Sequence, residues 1–248
     1  MDKISVLLIG GGNIAHILLN ELGHRIRKSY YHDLRKTDLE ATFLESFLIP
    51  EDTDIVVECA GINAVKQHGI EAIKAGKDLY IISSGAFSDP KFPTELLNHL
   101  KSSTSKVFVP SGAIGGLDII RAVRTRISSV RLIMTKPPSS LGYKERFSEP
   151  QVVFEGRVEK AIERFPQNVN VAVTLLLAVG ESAKVTVKVV VDPTIDRNTH
   201  EVEVKSSVGD YKIVHENKPS PNPKTSYLAA LSLASCINRR FDRLVVGG

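Results

Sequence analysis

Two groups of residues in this chain have the types and spacing to do chemistry. The first is Gly10-x-Gly12-x-x-Ala15, with Asp33 lying 18 residues beyond Ala15. Gly10 permits a tight turn, and Gly12 leaves a backbone that a pyrophosphate can approach. Ala15 lets a helix pack closely on the preceding strand. Amide N–H groups at the start of that helix then meet the phosphate charge. A carboxylate at the end of the next strand accepts hydrogen bonds from ribose hydroxyls. This pattern points to a bound dinucleotide, and its plain alternative is a glycine-rich turn with no ligand. The second group centres on His200. Among the seven histidines, His16, His68 and His99 fall on helical stretches and His24 and His32 near a basic surface stretch. His200 instead follows the polar stretch Asp192-Pro193-Thr194-Ile195-Asp196-Arg197-Asn198-Thr199, between two strand-like segments. An imidazole of near-neutral pKa placed there suits proton transfer.

Smaller features surround the glycines. Arg35, just past Asp33, can meet a 2′-phosphate or stand as a solvated surface arginine. Cys59-Ala60-Gly61 and Ser83-Ser84-Gly85-Ala86 fall at the expected carboxyl ends of strands, the edge where open parallel sheets bind ligands. They can lie against the nicotinamide half of a dinucleotide or be plain turns.

The elements that must position these residues follow from periodicity. Ile4 to Ile9 reads as a strand buried on both faces, and Ile14 to Leu19 as a helix. Strands are expected at Ser29–His32, Asp54–Cys59, Leu79–Ile82 and Lys106–Val109, and helices at Ala64–Ala75 and Thr94–Lys101. Strands alternating with helices predict a parallel sheet covered on both faces. The middle of the chain differs. Strands are expected at Ser128–Lys136 and Gln151–Glu155, and a buried helix at Asn170–Ala178. Lys184–Val191 and His200–Val204 alternate as half-buried antiparallel strands do. The punctuated run Pro219–Pro223 precedes a helix from Thr225 to Ala234, which is expected to return to the first domain. The fold class expected is α/β: a Rossmann-type dinucleotide-binding domain (residues 1–112 and 222–248) and an α+β second domain (113–221) with a mixed, largely antiparallel sheet.

Composition sets the outer limits. The chain has 248 residues, 42% hydrophobic and 24% charged, with a formal net charge of +4. This is ordinary for a globular chain and calls for no nucleic-acid partner. Only one lysine precedes the first apolar run, so no signal peptide is expected, and the apolar stretch at Val169–Val179 is too short to span a bilayer. Cys59 and Cys236 follow no metal-ligand or disulfide spacing, so neither a metal nor a disulfide framework is expected, and a cytoplasmic setting fits.

Longer segments carry a resemblance. Gly10-Gly11-Gly12-Asn13-Ile14-Ala15, Val57-Glu58-Cys59-Ala60, Pro110-Ser111-Gly112-Ala113-Ile114-Gly115-Gly116-Leu117-Asp118, Thr135-Lys136-Pro137-Pro138, Phe165 to Ala172, Asp192-Pro193 through His200, and Asn222-Pro223-Lys224-Thr225-Ser226 resemble the L-aspartate dehydrogenase family. The likeness runs nearly the whole length in matching order. It implies conversion of L-aspartate, water and NAD(P)⁺ to oxaloacetate, ammonia and NAD(P)H through iminoaspartate, a compound that can feed NAD biosynthesis. It also implies that His200 is the catalytic residue and that the second domain's sheet forms a homodimer. The candidate cofactor site, for NAD or NADP, comprises Gly10, Gly12, Asn13, Ile14, Asp33, Cys59, Ala60 and Ser83, with Ala113 and Asn170 added by the resemblance. The second strand around Asp33 is less typical, which leaves the choice between NAD and NADP open.

A substrate with two carboxylates needs positive charge or N–H donors around it. Lys136 and the cluster Lys224, Thr225 and Ser226 are the candidates; their alternatives are a solvated lysine and a helix N-cap. Other readings are a dihydrodipicolinate reductase-like or homoserine dehydrogenase-like oxidoreductase and a non-catalytic NAD(P) sensor. The first lacks support because no histidine-pair motif or long regulatory extension is seen, and a sensor has no need of His200.

Overall fold

Strand β1 (Ile4–Ile9) is buried at every position, so it forms only where both faces of a sheet are covered. The computed structural model describes residues 3–143, 147–165, 169–180, 183–218, 220 and 226–246. The chain divides into two compact units, residues 1–110 with 229–246, and residues 111–228 with the last two residues.

In the first unit β1 sits at the centre of a six-stranded sheet. Its partners are β2 (Ile26–His32), β3 (Thr42–Phe43), β4 (Ile55–Glu58), β5 (Asp78–Ile81) and β6 (Val107–Phe108), in the order β3-β2-β1-β4-β5-β6. Every pairing is parallel. Alternate residues of β1 enter separate cores, as the twofold period of a strand requires. Val6 and Leu8 pack with Leu18 and Leu22 of α1 (Asn13–Leu22). Leu7 and Ile9 pack with Ile70 and Ile73 of α2 (Ile62–Lys74) and with Phe92 and Leu96 of α3 (Lys91–Leu100). The strand order reverses direction between β1 and β4. In open parallel sheets this switch point opens the crevice that takes a ligand, outside the strands' carboxyl ends.

The second unit is built on a five-stranded sheet. Its strands are β7 (Ile127–Lys136), β8 (Gln151–Arg157), β9 (Lys184–Val191), β10 (Thr199–Ser206) and β11 (Gly209–Glu216), in the order β11-β10-β7-β9-β8. Only β7 with β9 is parallel; the other pairs are antiparallel. One face is covered by α4 (Leu117–Val123), α5 (Val158–Arg164) and α6 (Val169–Val179), through Ile120, Val158, Ala161, Ala172 and Leu175. Val130, Leu132 and Met134 of β7, Val187 and Val189 of β9, and Val202 and Val204 of β10 line the same core. The last helix, α7 (Tyr227–Asn238), places Ala229, Leu233, Ala234 and Ile237 in the core that also holds Val6 and Leu8.

The main departures from expectation have physical causes. β9 does not pair with β10: the loop after Val191 carries the chain across β7, which lies between them. Helices α4 and α5 span seven residues each, too short for a helical period to stand out. Strand β11 is an edge strand of alternating half-buried and exposed residues, mostly polar, and reads as loop. Among the described residues, no helix is long and apolar enough to cross a membrane.

Candidate active site

The glycine turn lies between β1 and α1, at the switch point. Gly10 adopts φ +106°, and a Cβ there would stand 2.8 Å from both the backbone nitrogen and the side chain of Ala60. Only glycine meets both demands, so the turn after β1 lies directly on the turn after β4. Gly12 is different in kind: a Cβ there would meet nothing within 4 Å, and no side chain caps α1. Its missing side chain therefore leaves room for something outside the fold, next to an α1 N-terminus that carries no acidic residue in its first turn. Asn13 and Ile14 open that helix, and Ala15 is fully buried beneath it. Gly11, given no role from sequence, is packed as tightly as Gly10. A Cβ on it would collide with Thr37 Oγ1 and the Tyr31 ring, both at 2.7 Å.

Asp33 follows β2 and is locked to this turn. Its carboxylate accepts the Gly11 N–H at 2.8 Å and the Leu34 N–H at 2.7 Å. Each oxygen keeps lone pairs for further donors, as a ribose diol would supply. The Arg35 side chain is exposed. Cys59 is buried with its thiol against the Gly10 carbonyl at 3.5 Å, and burial pushes its pKa well above the usual thiol value, so it is an inert packing group. An open space at Gly12, an uncapped helix start and a tethered carboxylate fit a dinucleotide.

Glu58, at the end of β4, is the residue that sequence reasoning missed here. It is fully buried, yet its carboxylate accepts four hydrogen bonds. These come from the Ala60 N–H (2.9 Å), the Gly61 N–H (2.7 Å), the Ser83 N–H (3.0 Å) and the Ser83 hydroxyl (2.9 Å). One side chain thus ties the turn after β4 to the turn after β5. Burial outweighs these donors and holds the carboxyl above its usual range. The signal was an acidic residue ending an otherwise apolar strand, Ile55-Val56-Val57-Glu58. Gly10, Asp33, Cys59, Ala60 and Ser83 are therefore joined in one hydrogen-bonded and packed cluster.

The second unit carries the other candidates. His200 is the second residue of β10, at the strand start expected from its alternation. It pairs with Met134 on β7 and shares that residue's inward face, and Lys136 is the next inward residue along β7. Both side chains are buried, His200 to 5% exposure and Lys136 to 5%. Burial alone lowers the Lys136 ammonium to about 8. Burial, followed by the neighbouring Lys136 and then His215, lowers His200 to about 3, so its imidazole is neutral. The His200 Nδ1 and the nearby Asn198 Oδ1 are buried and make no hydrogen bond among the described residues. A buried cation with no carboxylate partner among the described residues, near an imidazole whose Nδ1 is unpaired among them, is an arrangement that a bound anionic molecule with hydrogen-bonding groups would complete. Asn198 was not singled out from sequence; its even spacing from His200 along the chain was the available clue.

Ala113 lies in the turn before α4, where its carbonyl accepts from Asn217 Nδ2 at 2.7 Å. Asn170 is exposed in the first turn of α6. Ser226 precedes α7, and its hydroxyl is buried with no hydrogen bond among the described residues, so it does not cap that helix. Lys224 and Thr225 lie outside the described residues.

Comparison with known proteins places this arrangement. Residues 12–110 match the family model described as homoserine dehydrogenase, NAD binding domain, which with the strand order makes the first unit an NAD(P)-binding domain of the Rossmann type. Residues 118–240 match the model described as aspartate dehydrogenase, C-terminal. An L-aspartate dehydrogenase of a Thermotoga species is 42% identical over 246 residues, covering 98% of this chain and 100% of the relative. That of Methanocaldococcus jannaschii is 43% identical over 210 residues, 81% of this chain and 78% of the relative. The crystal structure of aspartate dehydrogenase from Thermotoga maritima superposes with a TM-score of 0.87 at 38% identity, covering 99% of this chain and all of that one. On the strength of the matches that span nearly the whole of both chains, the chain belongs to the L-aspartate dehydrogenase family.

Proposed function

We propose that this chain is an NAD(P)-dependent oxidoreductase acting on the CH–NH₂ group of L-aspartate, which it converts with water to oxaloacetate and ammonia through iminoaspartate. The observation that carries the reading to particular residues is the buried His200–Lys136 pair on one sheet face, with the His200 Nδ1 unpaired. NAD(P)⁺, when bound, supplies the acceptor for the hydride that leaves the aspartate Cα. Gly10, Gly12, Asn13 and Ile14 present the turn and helix start to its pyrophosphate, and Asp33 receives the ribose hydroxyls. Cys59, Ala60 and Ser83 back the same crevice, and the family likeness adds Ala113 and Asn170 as cofactor contacts.

Lys136 binds a substrate carboxylate by a charge-assisted hydrogen bond, aided by Lys224, Thr225 and Ser226. His200 is the general base. It takes a proton from the water that adds to the iminium carbon, and it returns that proton when ammonia leaves. A base needs a lone pair, and the burial and neighbouring cation that keep His200 neutral secure one. A pKa of about 3 is low for this task. Two substrate carboxylates offset the Lys136 charge and raise it towards the working range. We extend the reading to residues 1–112 and 222–248 as the nucleotide domain and 113–221 as the substrate and dimerisation domain. A homodimer through the outer face of the second sheet, a cytoplasmic location and a supply of iminoaspartate to NAD biosynthesis belong to the same reading.

The test is aspartate-dependent reduction of NAD⁺ and NADP⁺, followed by the absorbance of the reduced nicotinamide. The full chain is expected to turn over with L-aspartate. His200→Ala is expected to lose most turnover while still binding NADH. Near-normal turnover in His200→Ala removes the assignment of the base, and turnover on another amino acid but not on aspartate removes the substrate.

A further inference from the structure

The Ala113–Gly116 turn is held from a single strand, β11 and the residues just beyond it. His215 Nε2 accepts the N–H of Gly115 at 2.7 Å. Asn217 donates its Nδ2 to the Ala113 carbonyl at 2.7 Å. Ile213 closes over Gly116, whose φ is +74° and on which a Cβ would overlap Ile213 Cδ1. The second ring nitrogen of His215 also has a partner: Nδ1 lies 3.2 Å from the carbonyl of His200. Because Nε2 accepts, it carries the lone pair and the ring proton sits on Nδ1, where it is donated to that carbonyl. The His215 ring thus spans from the backbone of His200 to the backbone of Gly115. The register places His215 directly opposite His200.

We propose that His215 is a positioning residue that fixes the Ala113–Gly116 turn to the strand bearing His200, so that one side chain sets both the nucleotide-facing turn and the place of the base. The proposal rests on the reading above, in which Ala113 contacts NAD(P). It goes beyond that reading in giving a role to His215 and Asn217, which touch the turn rather than the reactants. The two bonds of His215 are separable by amide side chains of different length. A glutamine at this position reaches as far as Nε2 and accepts from Gly115. An asparagine reaches only as far as Nδ1, so it can donate to the His200 carbonyl and leaves Gly115 unbound.

The experiment is a fluorescence titration of the full chain with NADH, together with thermal unfolding, for the wild type and for His215→Gln, His215→Asn and Asn217→Asp. Loss of one neutral hydrogen bond on which nucleotide binding depends is expected to weaken NADH about tenfold. This weakening is expected in His215→Asn, and in Asn217→Asp, whose carboxylate has no proton to give Ala113. His215→Gln is expected to bind within about threefold of wild type, at about one hydrogen bond's worth of affinity above the asparagine variant, although both lose thermal stability. Equal weakening in His215→Gln and His215→Asn, tracking their melting temperatures, overturns the positioning role and leaves a structural one. Wild-type affinity in His215→Asn and Asn217→Asp overturns it also. A wild-type chain that binds neither NADH nor NADPH overturns the family-based reading itself, and the proposal with it.

Discussion

Gly10 and Gly12 stand two residues apart, yet alanine at each should fail in opposite ways. At Gly10, φ is +106° and the added methyl meets three atoms of Ala60 at 2.8 to 2.9 Å, two of them backbone. The left-handed conformation costs a side chain about 1–2 kcal/mol, and overpacking against atoms that cannot rotate away costs about 1–3 kcal/mol more. A total of about 2–5 kcal/mol lowers the melting temperature by roughly 4–20 °C in a chain of this size. At Gly12, φ is −90° and nothing lies within 4 Å of the added methyl. The cost to the fold is at most about 1 kcal/mol, the difference between glycine and alanine at an N-cap. The methyl instead occupies the space that the pyrophosphate needs, so NADH affinity should fall by at least about tenfold, a loss of 1.4 kcal/mol. Thermal unfolding and NADH fluorescence on the same two samples separate the effects. The reasoning is refuted if Gly12→Ala melts as early as Gly10→Ala, or if it binds NADH as tightly as wild type.

Two further substitutions test the buried charges. Lys136 is lowered from 10.5 to about 8 by burial, so the unfolded chain binds the extra proton between these values. Stability should therefore rise as pH climbs from 8 to 10.5, and Lys136→Met should remove that slope. It should also stabilise the protein at pH 7 by about 1–3 kcal/mol, while raising the KM for aspartate at least a hundredfold; a lower melting temperature at pH 7 argues against a cation buried without a partner. Glu58→Gln keeps three acceptor contacts and turns an amide NH₂ against the Ser83 N–H or its neighbours. It loses a charge-assisted bond of about 1.5–3 kcal/mol but relieves the buried charge, so it should fold with a modestly lower melting temperature and weaker NADH binding. Because burial raises the wild-type carboxyl, its contribution is complete below pH 4.5 and falls as pH rises through the folded value. The Gln variant should lack this slope, as melting curves across that range will show.

What the sequence made legible was what repeats or what is chemically rare. The strand at Ile4–Ile9, the glycine turn and the acid at Asp33 follow local rules of burial and conformation, and their positions agree with the structure. Lys136 and His200 could be named from residue type and from family segments. Their sharing of one sheet face could not, because it depends on β10 pairing with β7 across a loop that skips a strand. The same holds for His215 and Asn217, which reach a turn about 100 residues away in the chain. Glu58 was hidden for the opposite reason: its partners Ala60, Gly61 and Ser83 were already suspected, and the side chain that joins them looked like a polar end to an apolar strand.

The second unit's core also makes sense of where instability is tolerated. Along β7, β9 and β10 its inward positions are isoleucine, valine, leucine or methionine until the end of β7 and the start of β10, where Lys136 and His200 replace them. Nothing in the fold asks for this. A methionine and a leucine would fill those places and leave no unpaired atom, as Met134 and Val202 do one step away. Burial takes Lys136 out of water, and among the described residues it meets no carboxylate and His200 Nδ1 has no hydrogen-bond partner. Such groups cost stability in the empty protein and recover it only when a bound molecule supplies negative charge and a hydrogen-bonding group together. A dicarboxylic amino acid brings more negative charge to Lys136 than a monocarboxylic one does. The chain's choice of aspartate over alanine should therefore appear in kcat as well as in KM, because the charge that fills the pocket also brings His200 into its working range.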